Sequence, residues 1–161
     1  MYFKGKAWFA CYAFPENLDK AYQSLQDAEE WKQLESLSKK FGEVQFFCTH
    51  RAVEVHCWVK AVKGRIVRAY SYIRESGRTL LNEGEPTTVE QPYRLIDTNL
   101  PEAQDDDYWE REDIITPNEE LIMKIAESWS IDPMELENRE EISNSALLGE
   151  KTHPILRIIF R

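Results

Sequence analysis

The sequence predicts an α+β fold, a single domain over residues 1–161 built on an antiparallel sheet of five or six strands, and three observations predict it. Between Gly42 and Asn82 apolar residues recur with a period of two, on either side of that stretch they recur with the helical period, and Gly-containing turns divide the middle. The chain of 161 residues, 42% of them hydrophobic and including 5 Trp, 7 Tyr and 7 Phe, is long and apolar enough to bury one core.

The elements follow in order. "KAWFACYAF" reads as a first strand that stops at Pro15. Two helical patterns come next, one placing Leu18, Ala21, Tyr22 and Leu25 on a face, the other Ala28, Trp31, Leu34, Leu37 and Phe41. Together they predict an N-terminal helical hairpin or one broken helix, ended by Lys39, Lys40 and the left-handed cap that Gly42 permits. "EVQFFCTH" then sets Val44, Phe46 and Cys48 on one face, and "AVEVHCWVKAV" sets Val53, Val55, Cys57, Val59 and Ala61 opposite Glu54, His56, Trp58 and Lys60. "GRIVRAYSYI" follows Lys63 and Gly64, and "RTLLN" follows Ser76 and Gly77, so the centre is a four-stranded meander.

Residues 84–116 read as loop with a helical turn near 87–91. Residues 118–129 form an amphipathic helix with Leu121, Ile122, Ile125, Ala126 and Trp129 inward. Thr116 is its expected cap, Pro117 its first residue, and Glu119 and Glu120 its acidic first turn. A short helix over 132–138 completes a C-terminal helical pair packed on the sheet, and "PILRIIF" closes the chain as a strand. The helical pair resembles a helix-turn-helix in outline. The stretch 132–141, which would hold the recognition helix, offers only Arg139 among five acids, so it lacks the bases that hold phosphates, and no nucleic-acid partner is expected.

Three cysteines, Cys11, Cys48 and Cys57, lie in apolar runs at an odd count, which suits buried thiols in a reducing, cytoplasmic setting. The apolar run over 7–14 is too short and too aromatic for a secretion signal, and no run approaches the roughly 20 residues of a membrane span. No membrane partner is expected. Net charge is −9; residues 102–141 hold fifteen acids and three bases, a local −12, so the rest of the chain sums to +3. A block of one sign is either a solvated face or a surface that steers a basic partner.

Candidate chemistry is sparse. Cys48 and His50 share a strand face, but His56 and Cys57 point to opposite faces, so no metal is expected. No nucleophile elbow, catalytic Cys signature or cofactor motif is present. His50, Arg51 and Glu54 form the one group suited to acid/base work on an anionic substrate, which keeps a small enzyme or ligand-binding domain as the alternative reading. Arg65, Arg68, Arg74 and Arg78 read as a solvated basic edge of the meander. The most informative stretch is "DDDYWERED". Tyr108 and Trp109 are interface-anchor residue types, and Asp105, Asp106, Asp107, Glu110, Glu112 and Asp113 around them would steer a basic partner, so these eight are the expected partner-binding residues; the alternative is that both aromatics tuck the loop onto the domain.

The segments "FGEVQFFCTHR", "VEVHCWVKAVKGRIVRAYSYIRESG", "LNEGEPTTVE", "DDDYWERED" and "EELIMKIAESWSIDP" together resemble an uncharacterised family of small acidic bacterial proteins encoded beside polymorphic and Rhs-type toxins. The resemblance implies an immunity protein, not an enzyme, whose partner is a cognate protein toxin with a basic surface. It carries over no catalytic residue and no cofactor.

Overall fold

Period-two sequence pairs into sheet here because its short Gly turns bring each strand back beside the last. The computed structural model describes residues 2–3, 6–10, 29–51, 54–130, 132, 135, 149–150 and 157–158. Its strands begin with β1 (Tyr2–Phe3) and β2 (Lys6–Ala10), followed by helix α1 (Glu29–Phe41). Four strands then form an antiparallel meander: β3 (Glu43–His50), β4 (Val55–Val62), β5 (Arg65–Ile73) and β6 (Arg78–Glu83). The architecture is α+β, a four-stranded antiparallel sheet with a few helices. The strand over Lys6–Ala10 is not antiparallel as expected: it runs parallel to β3, with Phe9 opposite Phe46. Parallel neighbours need a crossover of a dozen residues or more, and α1 lies within that connection.

Turn chemistry fits the meander. Lys63 and Gly64 both have positive φ between β4 and β5, and Gly77 has φ 62° before β6. Gly42 ends α1 at φ 86°, its N–H donating to the Ser38 carbonyl at 2.9 Å. Ser38, fully buried, accepts from the Gly64 N–H at 2.7 Å, which ties the end of α1 to the β4–β5 turn.

After β6 the chain crosses the sheet. A turn at 87–91 leads to β7 (Arg94–Leu95), a 3-10 turn (Pro101–Gln104), α2 (Asp106–Trp109), β8 (Ile114–Ile115) and α3 (Glu119–Trp129). All five residues expected inward on α3 are buried. Its cap is Asn118, not Thr116: Asn118 is extended at φ −138° and its Oδ1 accepts from the Leu121 N–H at 2.8 Å. Pro117 stands ahead of the helix, fully buried, where its missing N–H costs nothing. Residues 18–25, and the second helix over 132–138 apart from Asp132 and Glu135, lie outside the described residues. Of the closing strand only Arg157–Ile158 is described, as β10. It pairs with β9 (Gly149–Glu150) in a separate two-stranded sheet.

The sheet is covered on both faces. On one, Cys48, Cys57, Val59 and Ala69 meet Trp31 and Leu34 of α1. On the other, Trp58, Tyr70 and Tyr72 pack beneath Ile96, Tyr108, Leu121, Ile122, Ile125 and Trp129. This second cover explains why five successive residues of β4, from Val55 to Val59, are buried, where alternation placed His56 and Trp58 on a polar face. The segment after β6 supplies the missing layer.

A buried ion pair fixes that layer. The register slips between Lys60 and Ala61, so Lys60 faces Arg68, Ala61 faces Ile66, and Val67 bulges outward at 42% exposure. The bulge turns Arg68 onto the Trp58 face, away from the solvated edge expected of it. Its Nε donates to Glu90 Oε1 at 2.7 Å, with the two side chains 1% and 0% exposed. Glu90 Oε1 also accepts from Trp58 Nε1 at 3.0 Å, and Oε2 accepts from the Thr87 N–H at 2.9 Å and its hydroxyl at 2.6 Å. Arg68 Nη1 donates to Asn82 Oδ1 at 2.7 Å and to the Glu83 and Gly84 carbonyls. Gly84, at φ 76°, is required here, since a Cβ would collide with the Val67 carbonyl.

Candidate functional site

The acidic stretch is a closed loop over 96–113, with its ends brought together. β7 and β8 pair in parallel, the Ile96 N–H donates to the Ile115 carbonyl at 3.0 Å, and Arg94 binds Glu102 at 2.7 Å and Asp113 at 3.2 Å. Two strand segments and one guanidinium therefore clamp the loop's base.

The loop is held to the sheet from below. Tyr70 and Thr79 hydroxyls donate to the Ile96 carbonyl at 2.7 and 3.0 Å, and Asn82 Nδ2 donates to Asp97 Oδ2 at 2.9 Å. Tyr108 reaches down from α2. Its oxygen accepts from the Asp97 N–H at 2.8 Å, and its hydroxyl donates to the Asp97 carbonyl at 3.1 Å. Tyr108 is thus a buried strut, 4% exposed, and not the surface anchor its neighbours suggested. Trp109 is the exposed aromatic, 54% accessible, standing edge-on to Tyr108 at 5.7 Å and donating from Nε1 to the Ala103 carbonyl at 3.2 Å.

The expected acids divide in two. Asp113 is bound by Arg111 and Arg94, and the Arg111 hydrogen bond, foremost, pulls its carboxyl down to about 2. Asp105, Asp106, Asp107, Glu110 and Glu112 are exposed and carry no ion pair among the described residues. The three aspartates line an open concavity of about 780 Å³ with Glu102, Gln104, Tyr108 and Arg111. The surface is therefore a negative hollow with a Trp at its border, on a backbone fixed by internal hydrogen bonds. It can attract and contact a cationic surface.

The alternative region is differently organised. Arg51 is turned to Glu119 at the start of α3, in a two-nitrogen clasp with Nε at 3.0 Å from Oε2 and Nη2 at 3.0 Å from Oε1. Glu54, at φ 46°, pairs with Arg74 at 3.1 Å. The clasp and the pair tie the β3–β4 hairpin to α3 and β5. His56 lies on the opposite sheet face from Cys57, its Nδ1 3.2 Å from the Thr49 hydroxyl, and burial lowers its pKa. Burial pushes the Cys57 thiol up to about 12, so it is a poor nucleophile near neutral pH while α1 covers it. Among the described residues no three His, Cys, Asp or Glu side chains are grouped to hold a metal ion.

Sequence reasoning missed Glu90, Asp97 and Arg94, the residues that seat and close the loop. One signal was available: Thr87-Thr88-Val89-Glu90 has the Thr-x-x-Glu form in which the acid reaches back to the first residue's N–H. Nothing local marks Asp97, whose role depends on Tyr108 arriving from eleven residues on. The chain matches no family model, no curated protein and no solved structure.

Proposed function

We propose that this chain is an immunity protein that binds a cognate bacterial toxin and neutralises it by occluding the toxin's active site, acidic face against basic cleft. The observation that supports the reading most is the 96–113 loop, where five exposed carboxylates carry no ion pair among the described residues, three of them, Asp105, Asp106 and Asp107, line a hollow, and Trp109 is exposed next to Tyr108 of its lining. Such carboxylates raise the rate of encounter with a basic surface, and an exposed indole supplies contact area once the surfaces meet. A loop already ordered by its own hydrogen bonds loses little entropy on docking. The segments that resemble proteins encoded beside polymorphic and Rhs-type toxins supply the class of partner. In this reading the domain spans 1–161 in the cytoplasm, with five or six sheet strands, an N-terminal helical hairpin and a C-terminal helical pair. It acts without catalysis or cofactor, and without nucleic acid or membrane.

The test is a titration of the purified protein against a fixed amount of the toxin encoded beside it, scoring both intact and restored target. Protection is expected to saturate near one equivalent and to survive His50→Gln, His56→Gln and Glu54→Gln. Restoration of already modified target at sub-stoichiometric amounts, abolished by one of those substitutions, would favour the small enzyme centred on His50, Arg51 and Glu54.

A further inference from the structure

Cys48 and Cys57 stand directly opposite each other in the β3–β4 register. Both are buried thiols, 5% and 1% exposed, beneath Trp31 and Leu34 of α1 and beside Phe46. The Lys63 N–H donates to the Gly42 carbonyl at 2.8 Å, and stepping by two along the unbroken register from that pair makes 48/57 a hydrogen-bonded position. Cα atoms in such a pair are about 5.5 Å apart. Disulfides span roughly 4.4–6.8 Å between Cα atoms.

We propose that Cys48 and Cys57 are a redox latch, a dithiol that a small-molecule disulfide oxidises to a cross-strand disulfide pinning the β3–β4 hairpin. The exchange balances in two steps. The Cys48 thiolate attacks one sulfur of the reagent, forming a mixed disulfide and expelling one thiol; Cys57 then attacks the Cys48 sulfur, forming the bridge and expelling the second. Two electrons pass from the cysteines to the reagent, and both cysteine protons leave with its thiols. Cys48 takes the first step because it is the more accessible, and Cys57 resolves the adduct from the adjacent strand at high effective concentration.

Two features shape the behaviour. The pair lies under α1, so the reaction waits on opening of that layer, and the thiols resist reagents while it is seated. A bridge at a hydrogen-bonded position must draw the side chains closer than the pleat holds them, and a strained bridge is readily reduced. The hairpin so pinned is the one whose tip holds α3 through Arg51 and Glu119. Oxidation therefore stiffens the seat of the helix that covers the other sheet face.

The experiment treats the full chain with oxidised glutathione, with and without urea below the unfolding transition, and maps thiols by trypsin and mass spectrometry. Cleavage after Lys40, Arg51 and Lys60 puts Cys48 and Cys57 on separate peptides, with Cys11 on a third. The expected result is a loss of two of three thiols, a peptide pair joining Cys48 to Cys57, faster closure in urea, and full return with dithiothreitol. Cys11→Ser leaves this unchanged, while Cys57→Ser stops at one glutathione adduct on Cys48. A link to Cys11, a disulfide between two chains, stable adducts on both residues, or no reaction even in urea would each overturn the latch. The wild-type peptide map alone decides the matter if a variant does not fold.

Discussion

Replacing Glu90 with Gln changes one atom of the side chain and should cost more stability than any surface substitution. The carboxylate accepts four hydrogen bonds, two at each oxygen, from Trp58, Arg68 and Thr87. Glu90→Gln keeps the volume but removes the charge and one acceptor. Arg68 stays cationic, since a guanidinium does not deprotonate in a protein, and it is 1% exposed. Stranding one member of a buried pair costs about 3 to 5 kcal/mol. If the amide oxygen keeps Arg68 and Trp58, the amide nitrogen faces the Thr87 N–H, whose lost bond adds about 1 kcal/mol. The total, about 4 to 6 kcal/mol, is a large share of the roughly 5 to 15 kcal/mol that holds a domain together. The assay is urea unfolding followed by tryptophan fluorescence and far-UV circular dichroism. With slopes of about 1 to 3 kcal/mol per molar, the midpoint should fall by roughly 2 M, if the variant folds at all. Arg68→Met in the same chain removes the stranded charge, so the double variant should recover part of the loss. A Glu90→Gln midpoint that reports a loss under about 1 kcal/mol, or a double variant costing the sum of the two singles, would refute the pairing argument.

Three further outcomes follow from the same contacts. Trp129, 5% exposed, packs its ring 5.4 Å from Phe47 and donates to Thr87 Oγ1; Trp129→Ala should cost about 3 to 5 kcal/mol in urea unfolding, while the exposed Glu127→Ala should leave the midpoint in place. Burial holds the His56 pKa below its ordinary value against the opposing pull of Glu54 and Glu119, so the unfolded chain takes the proton first. That contribution to stability is complete above about pH 6.5 and is lost as pH falls through the folded value; His56→Gln should flatten the drop in urea midpoint across this range, and an unaltered drop would assign it elsewhere. Replacing Asp105, Asp106 and Asp107 with Asn should slow association with the proposed toxin partner and flatten its salt dependence, read by stopped-flow, with dissociation little changed; an unchanged rate at low salt would remove the hollow from the proposed interface.

What the sequence revealed divides along the range of the interactions involved. The inward face of α3 was legible because an amphipathic stripe is a local pattern, and Leu121, Ile122, Ile125, Ala126 and Trp129 are all buried. Its cap was misplaced by two residues because Thr116 and Asn118 both have capping side chains, and the difference lies in which one accepts from the first turn, here Asn118 from the Leu121 N–H. The strand face carrying Val44, Phe46, Cys48 and Cys57 followed from alternation. The opposite face did not, since Trp58 is covered by residues from far along the chain. Arg68 was out of reach for a different reason: a single bulged residue, Val67, shifts the parity of β5 and turns an apparent surface arginine inward. Within the site, alternation says nothing about adjacent aromatics in a loop, and the choice of Tyr108 over Trp109 for burial rests on a hydroxyl that satisfies the Asp97 backbone.

That choice bears on how the acidic loop persists at all. Asp105, Asp106 and Asp107 are consecutive, and like charges on neighbouring side chains repel, which favours an open chain over a folded turn. The structure opposes this repulsion from beneath. Ile96 ties the loop to Tyr70 of β5 and Thr79 of β6, Tyr108 braces it internally against Asp97, and Arg94 draws Glu102 and Asp113 together at its base. None of these contacts uses the three aspartates themselves, whose side chains add nothing to the loop's attachment among the described residues. Their charge is thus a cost to the isolated protein, and the anchors offset it. Substituting them with Asn should therefore leave the free protein at least as stable as before while weakening its encounter with a basic partner. In the proposed reading these three residues, which stabilise nothing in the free protein, serve the encounter with a basic partner.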